Sequence, residues 1–222
     1  MKKPIVLTFF ALFLFSCNRD DVFPKIENIT SGTKWTLQIG SSPTEVYSQL
    51  QQLGIEKNFH DVAIVHRQPF SKPEDIKSDL GLYRAITVET SSGITQRGVI
   101  HFDYGKVSAI EKGGALLDAI TKWPEDTPDS SSILINDLIP TVKQKLLNIY
   151  QIPKYKTYKI ILSNKWLEKP FDPDMSNYNE WSFTFSSDIN SGRVGRSNVS
   201  IFFQDGKLSR ILHEYNEFEV FN

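Results

Sequence analysis

With Cys17 as its single cysteine in 222 residues, the chain cannot form an internal disulfide, so no framework of paired cysteines holds the fold. It also lacks the motifs of the common catalytic chemistries. There is no Gly-x-Ser-x-Gly turn to expose a nucleophilic serine, no Gly-x-x-x-x-Gly-Lys-Ser/Thr loop for phosphate, no His-Glu-x-x-His for zinc and no dinucleotide-binding glycine cluster. Gly105-Lys106 and Gly206-Lys207 have the composition of hairpin turns and lack the rest of a phosphate loop. An excess of one charge is missing too: 25 basic residues face 26 acidic ones, which argues against a nucleic-acid partner. No apolar run reaches the ~20 residues needed to span a bilayer.

What is present begins at the amino terminus. Lys2 and Lys3 precede an apolar run, Ile5 to Phe15, that ends in Leu14-Phe15-Ser16-Cys17. A basic start, a short apolar stretch, a small residue and then cysteine is the pattern of a lipoprotein signal peptide over residues 1–16. The Cys17 thiol would take the lipid before cleavage, and two or three acyl chains hold a protein at a membrane without a spanning helix. That use of the thiol also removes it as a catalytic nucleophile. Cleavage discards Lys2 and Lys3 and no acid, leaving 23 basic against 26 acidic residues, a net charge of −3. Asn18-Arg19-Asp20-Asp21 resembles the short charged export signal of surface-exposed lipoproteins of Bacteroidetes, which implies an outer-membrane address. Residues 17–31 are expected to be a lipidated tether.

The remaining chain contains a repeat. Thr33-Lys34-Trp35 returns as Thr121-Lys122-Trp123, Lys72-Pro73 as Lys169-Pro170, and Ile86 and Val88 as Phe183 and Phe185. Ile100 to Ile110, with Tyr104-Gly105-Lys106 at its centre, returns as Ile201 to Ile211 with Asp205-Gly206-Lys207. The offsets grow steadily, as loop insertions in a second copy would make them. Each copy reads as a tryptophan strand, an amphipathic helix and four strands. Ser42-Pro43-Thr44-Glu45 announces the first helix with a capping box, and Val46, Leu50 and Leu53 fall on one face. Asp137 is expected to cap the second, whose stripe is Val142, Leu146 and Ile149. The expected fold is therefore α+β: two tandem β-α-β-β-β-β repeats, residues 32–118 and 119–222, with antiparallel sheets and helices packed on one face.

Candidate chemistry is sparse. His101 and Asp103 share a strand face and could form a general-base pair, although the second copy has Phe202 and Gln204 in their place and no third group is identifiable. Asp172, Asp174 and Asn177 could offer oxygens to calcium, but a turn rich in aspartate and proline explains the same residues, and no metal or other cofactor is expected. Trp166, between Lys165 and Lys169, and Phe202, on the face opposite Ile201 and Phe203, read as candidate interface anchors. The expected partner-binding surface comprises Val99, His101 and Asp103 of one copy, Phe202 and Gln204 of the other, and Trp166.

The tryptophan strand, the capped helix after Gly40-Ser41-Ser42 and the hairpin around Phe102-Asp103-Tyr104-Gly105-Lys106-Val107 resemble the repeat of the beta-lactamase-inhibitor-protein-like fold and the related SmpA/OmlA-type outer-membrane lipoproteins. The resemblance spans most of Lys34–Leu212. It implies binding or scaffolding rather than catalysis, since inhibitors of that fold grip an enzyme on a concave sheet and the lipoproteins attach to envelope machinery. The expectation is a noncatalytic envelope lipoprotein that binds a protein partner. Its rivals are an immunity or inhibitor lipoprotein against a secreted toxin or hydrolase, and a hydrolase or carbohydrate-processing accessory.

Overall fold

The structure, a computed structural model, describes residues 23–91, 93, 96–113, 119–190 and 192–219. The expected signal peptide, Cys17 and the tether up to residue 22 lie outside the described residues. The rest of the expected tether is not loose. Lys25–Ile29 forms strand β1, which pairs antiparallel with the last strand.

A short hairpin, β2 (Thr33–Lys34) and β3 (Leu37–Gln38), leads into helix α1 (Pro43–Lys57). Ser42 caps α1: its side chain accepts from the Glu45 backbone N–H while the Glu45 carboxylate accepts from the Ser42 N–H at 2.7 Å, so two otherwise orphaned donors are satisfied. Asn58, left-handed at φ 56°, ends the helix, and β4 (Asp61–Ile64) follows. Next come β5 (Ala85–Glu89), β6 (Arg97–Asp103), β7 (Lys106–Lys112) and the short strands β8 (Ala119–Ile120), β9 (Lys122–Trp123) and β10 (Ile133–Leu134). Helix α2 (Ile139–Ile149) then leads to β11 (Lys159–Leu162), β12 (Lys165–Trp166) and the long strands β13 (Glu180–Asn190), β14 (Arg193–Gln204) and β15 (Lys207–Glu219). Asp137 does not cap α2. Its carboxylate accepts from the Leu134 N–H at 2.7 Å and from Lys145 at 2.8 Å, and Leu138 occupies the cap position.

This arrangement corrects the expected α+β pair of tandem repeats. Among the described residues the molecule is mostly β, with fifteen strands in antiparallel sheets and two helices. A contiguous β-α-β-β-β-β unit forms in neither half. The six-stranded sheet runs β1-β15-β14-β13-β4-β12 and the five-stranded sheet β11-β5-β6-β7-β8. Strand β4 therefore joins the carboxy-terminal meander, with Ile64 opposite Trp181, and β11 joins the earlier one, with Leu162 opposite Ile86. The helices follow. Val46, Leu50 and Leu53 of α1 pack with Trp181, Phe183 and Ile201, while Val142, Leu146 and Ile149 of α2 pack with Ile86, Ile100 and Ile110. The physical reason is that strand periodicity selects a face and leaves the neighbour open. The connection from β4 to β5, residues 65–84, is far longer than a hairpin turn and lets the two strands part.

Two hairpins share a local design. In β6–β7 and in β14–β15 a bulge follows the residue one rung from the turn, between His101 and Phe102 and between Phe202 and Phe203. Both turns place two residues at positive φ, Tyr104 (46°) with Gly105 (79°) and Asp205 (50°) with Gly206 (69°), which matches the right-handed twist of the flanking strands. The sheets meet at Lys165, which pairs with Val62 of β4 and bridges to Tyr83 just before β5.

Candidate functional site

The residues singled out from sequence are distributed over both sheets. Val99, His101 and Asp103 lie on the outward side of β6 in the five-stranded sheet, whereas Phe202 and Gln204 belong to β14 of the six-stranded one. They do not form one continuous strand face. His101 and Asp103 make no pair either: His101 Nε2 lies 3.1 Å from Glu111 Oε1 on β7, out of line for a hydrogen bond, and Asp103 stands exposed at the hairpin end. Phe202 is covered by the Arg210 guanidinium at 3.7 Å from its ring centre, and Gln204 is exposed beside the turn. Asp172, Asp174 and Asn177 spend their oxygens locally. Asp172 accepts from the Tyr83 hydroxyl and the Asp174 N–H, Asp174 pairs with Arg67 at 3.0 Å, and Asn177 donates to Asp174.

Trp166 occupies the most exceptional position. It pairs across the ladder with Asp61, faces away from the core side taken by Lys165, and lies on the same side of the six-stranded sheet as Phe202, three strands away. Three cavities of about 440, 280 and 230 Å³ all have Trp166 in their walls. The largest adds Ile55, Phe59 and Leu167, and the smallest adds Asp103, Tyr104 and Ile139, so the tryptophan joins the end of α1 to the β6–β7 hairpin. Arg84 lies 4.9 Å over the indole and is held by Asp61 at 2.6 Å. Around this indole, Tyr104 is 91% exposed and Ile55 87% exposed, a concentration of apolar surface that folding alone does not require. Sequence marked Trp166, but Tyr104 read as a turn residue and Ile55 carried no signal, because their nearness depends on the exchanged strands.

Directly beneath Trp166 lies a buried polar network. Lys165 has no exposed surface, and its Nζ donates to Tyr47 Oη at 2.7 Å and Trp166 O at 2.8 Å. Tyr47 Oη lies 2.8 Å from both Trp166 O and Lys169 O and gives its proton to one of them. Burial pulls the Lys165 amine down from 10.5 to about 8, with nearby Asp172 opposing and Lys169 reinforcing that shift. Burial likewise pushes the Tyr47 and Tyr83 hydroxyls well above their usual range. Arg67 sits between the Tyr83 and Tyr178 rings at 4.9 and 5.2 Å and donates to Tyr83 Oη, with its Nε and Nη1 unpaired among the described residues. An amine lowered in this way deprotonates more readily and would be a better nucleophile in the open, but no described cavity is lined by Lys165. The network ties helix α1, β12 and the approach to β5 together.

A second cluster has the order of a catalytic triad. Ser197 Oγ lies 2.9 Å from His213 Nε2, and His213 Nδ1 lies 3.3 Å from Glu27 Oε2. Nucleophile, base and orienting carboxylate are thus in line. Access is absent: Ser197 is 4% exposed in mid-strand, the Trp35 ring stands edge-on to His213 at 4.9 Å, and no described cavity is lined by the serine. Lys34 also donates to the same Glu27 oxygen, and the Lys34 and His213 hydrogen bonds hold that carboxyl below its usual value. The arrangement fastens β1 to the sheet. Sequence offered no hint of it, since Glu27 lies in the stretch read as tether.

No protein-family model, curated protein or solved structure matches the chain.

Proposed function

We propose that the chain is a noncatalytic, lipid-anchored protein of the cell envelope that grips a protein partner through the surface centred on Trp166. The observation that carries this reading is the meeting of three cavities at one tryptophan, ringed by exposed Tyr104 and Ile55. Interface anchors are typically large aromatics set among pockets and surrounded by groups that exclude water, and the rim here supplies Arg84, Asp61 and Glu168 as hydrogen-bonding edges. The expected role of Val99, His101, Phe202 and Gln204 gives way to this surface, which keeps Trp166 and Asp103 from the earlier set.

Membrane residence rests on Cys17 and the signal-like residues before it. Cys17→Ala is expected to leave an unprocessed or soluble chain, read by metabolic labelling with a clickable fatty acid and fractionation. Labelling of that variant at the amino terminus would overturn the anchor. For the partner surface, photocrosslinkers at positions 104 and 202 distinguish the Trp166 surface from the Phe202 strand three strands away. Adducts from position 104 that are lost in Trp166→Ala support the reading, and adducts from position 202 alone contradict it. Truncating such an anchor typically weakens binding by at least about tenfold.

A further inference from the structure

We propose that the free end of the β13–β15 meander is a second hold on the membrane, dipping into the headgroup region of the bilayer that carries the lipid of Cys17. This inference rests on the lipid anchor proposed above and adds the orientation and the contact surface that an anchor alone leaves open.

The meander outruns its sheet. Strand β4 pairs with β13 only at Trp181 and Ser182, and β1 pairs with β15 only as far as Tyr215. Beyond those rungs the three strands continue to Asn190, Arg193 and Glu219 with no flanking strand among the described residues. No side chain past Phe185 on β13 or past Tyr215 on β15 belongs to either core cluster. A three-stranded ribbon without a covered face gains little from folding alone. Its extremity is nonetheless apolar: Ile189 is 42% and Phe218 51% exposed, and half-buried Val194 stands opposite Phe218. The other end of the same strands, Gln204 to Lys207, is exposed and carries no apolar side chain.

The chain enters at the apolar end. Antiparallel pairing sets Ile29 beside Ile211 and Lys25 beside Tyr215, so β1 followed backwards runs towards Glu219, and the Phe23 ring meets the Tyr215 ring at 6.0 Å. Cys17 precedes Phe23 by six residues, which span at most about 20 Å. Glu219 lies four residues beyond Tyr215, about 14 Å, whereas the turn at Asp205-Gly206 lies nine residues the other way, about 30 Å. The lipid therefore reaches the tip and cannot reach the turn. Lys25, Arg193 and Arg196 are balanced by Asp188, Glu217 and Glu219 over the same stretch, so the apolar side chains rather than attraction to anionic lipid set the contact. Arg196, which makes no ion pair among the described residues, shares the Phe218 face and can meet a headgroup phosphate.

The test uses the full lipidated chain in phosphatidylcholine vesicles that contain a lipid with a nitroxide beside its headgroup. Acylation consumes the Cys17 thiol, so a cysteine introduced by Ile189→Cys, Phe218→Cys or Asp205→Cys alone takes up a bimane fluorophore, and each of these exposed positions can change without disturbing the core. The expected result is bimane quenching at 189 and 218 at least about threefold stronger than at 205. With Ile189→Ser and Phe218→Ser together, a bimane at Ser187→Cys should lose most of the quenching it shows in the otherwise unaltered chain. Vesicle flotation separates the two ideas. A chain that does not float removes the anchor and this inference with it, whereas a floating chain quenched no more at 189 and 218 than at 205 overturns this inference alone and leaves the tip to a protein contact. Quenching that survives the double serine change, or that disappears in about 0.5 M sodium chloride, overturns it as well, since the apolar tip would then not be making the contact.

Discussion

Replacing Lys165 by methionine tests the buried network most directly, because methionine is a similar unbranched side chain without an amine. In the unfolded chain the amine titrates near 10.5, while in the folded protein burial lowers that to about 8. Between those values the unfolded state holds a proton that the folded state has lost, so stability rises as pH climbs from about 8 towards 10. One pKa unit corresponds to about 1.4 kcal/mol, which sets an upper limit of about 3 kcal/mol on the whole rise. As pH nears 10 the sign reverses, since Tyr47, Tyr83 and Tyr150 stay protonated in the fold while their unfolded counterparts ionise. Urea midpoints recorded from pH 7 to 9 should therefore climb for the unaltered chain and stay nearly level for Lys165→Met. The variant should equal or exceed it in stability at pH 7, because the Tyr47 hydroxyl keeps a carbonyl acceptor without the lysine. Midpoints of the unaltered chain that fall over pH 8–10 relative to the variant would refute the argument, for the amine would then be better solvated in the fold than in water.

Three further outcomes follow from packing. Gly98→Ala should lower stability by about 1–3 kcal/mol in chemical denaturation, because the new methyl meets the Trp123 ring at 2.5 Å; an unchanged midpoint would show that the indole moves freely. His213→Gln should free β1, seen as faster amide exchange over residues 25–29, yet neither the variant nor the unaltered chain should react with a fluorophosphonate; stoichiometric labelling at Ser197 would contradict the closed geometry. Acid should loosen the same strand. The Glu27 carboxyl is held below its ordinary 4.5, so its contribution is present above that value and disappears as pH falls through the lowered one, which amide exchange at pH 3 against pH 6 measures.

Local features were legible wherever a short stretch of chain decides them. Ser42 and Glu45 close the capping box because three residues of helix bring them together, and Val46, Leu50 and Leu53 are buried as their spacing demands. Tyr104-Gly105 and Asp205-Gly206 turn at positive φ for equally local reasons. Strand partnership was not legible. Nothing in Asp61–Ile64 distinguishes β5 from β13 as a neighbour, since an apolar strand edge accepts either and the choice rests on the whole core. The site suffered the same loss. Trp166 stood out as a large aromatic in a polar stretch, while Tyr104 and Ile55, remote in sequence, join it only through the tertiary arrangement. The triad-like cluster depends on β1, a segment whose composition gave no reason to expect a strand.

The exchange of strands also sets an order of events during synthesis. Helix α1 and β4 emerge early but find their sheet only when β13, β14 and β15 follow, more than a hundred residues later. The middle of the chain, from β5 to β11, carries its own helix and sheet partners and can close on itself while the first segment waits. Contacts that span most of the chain slow the final step, so the apolar faces of α1 and β4 stand uncovered until the last strands arrive. Truncation before β13 should therefore leave a foldable centre with an aggregation-prone leading end, so the carboxy-terminal residues hold the molecule's beginning in place.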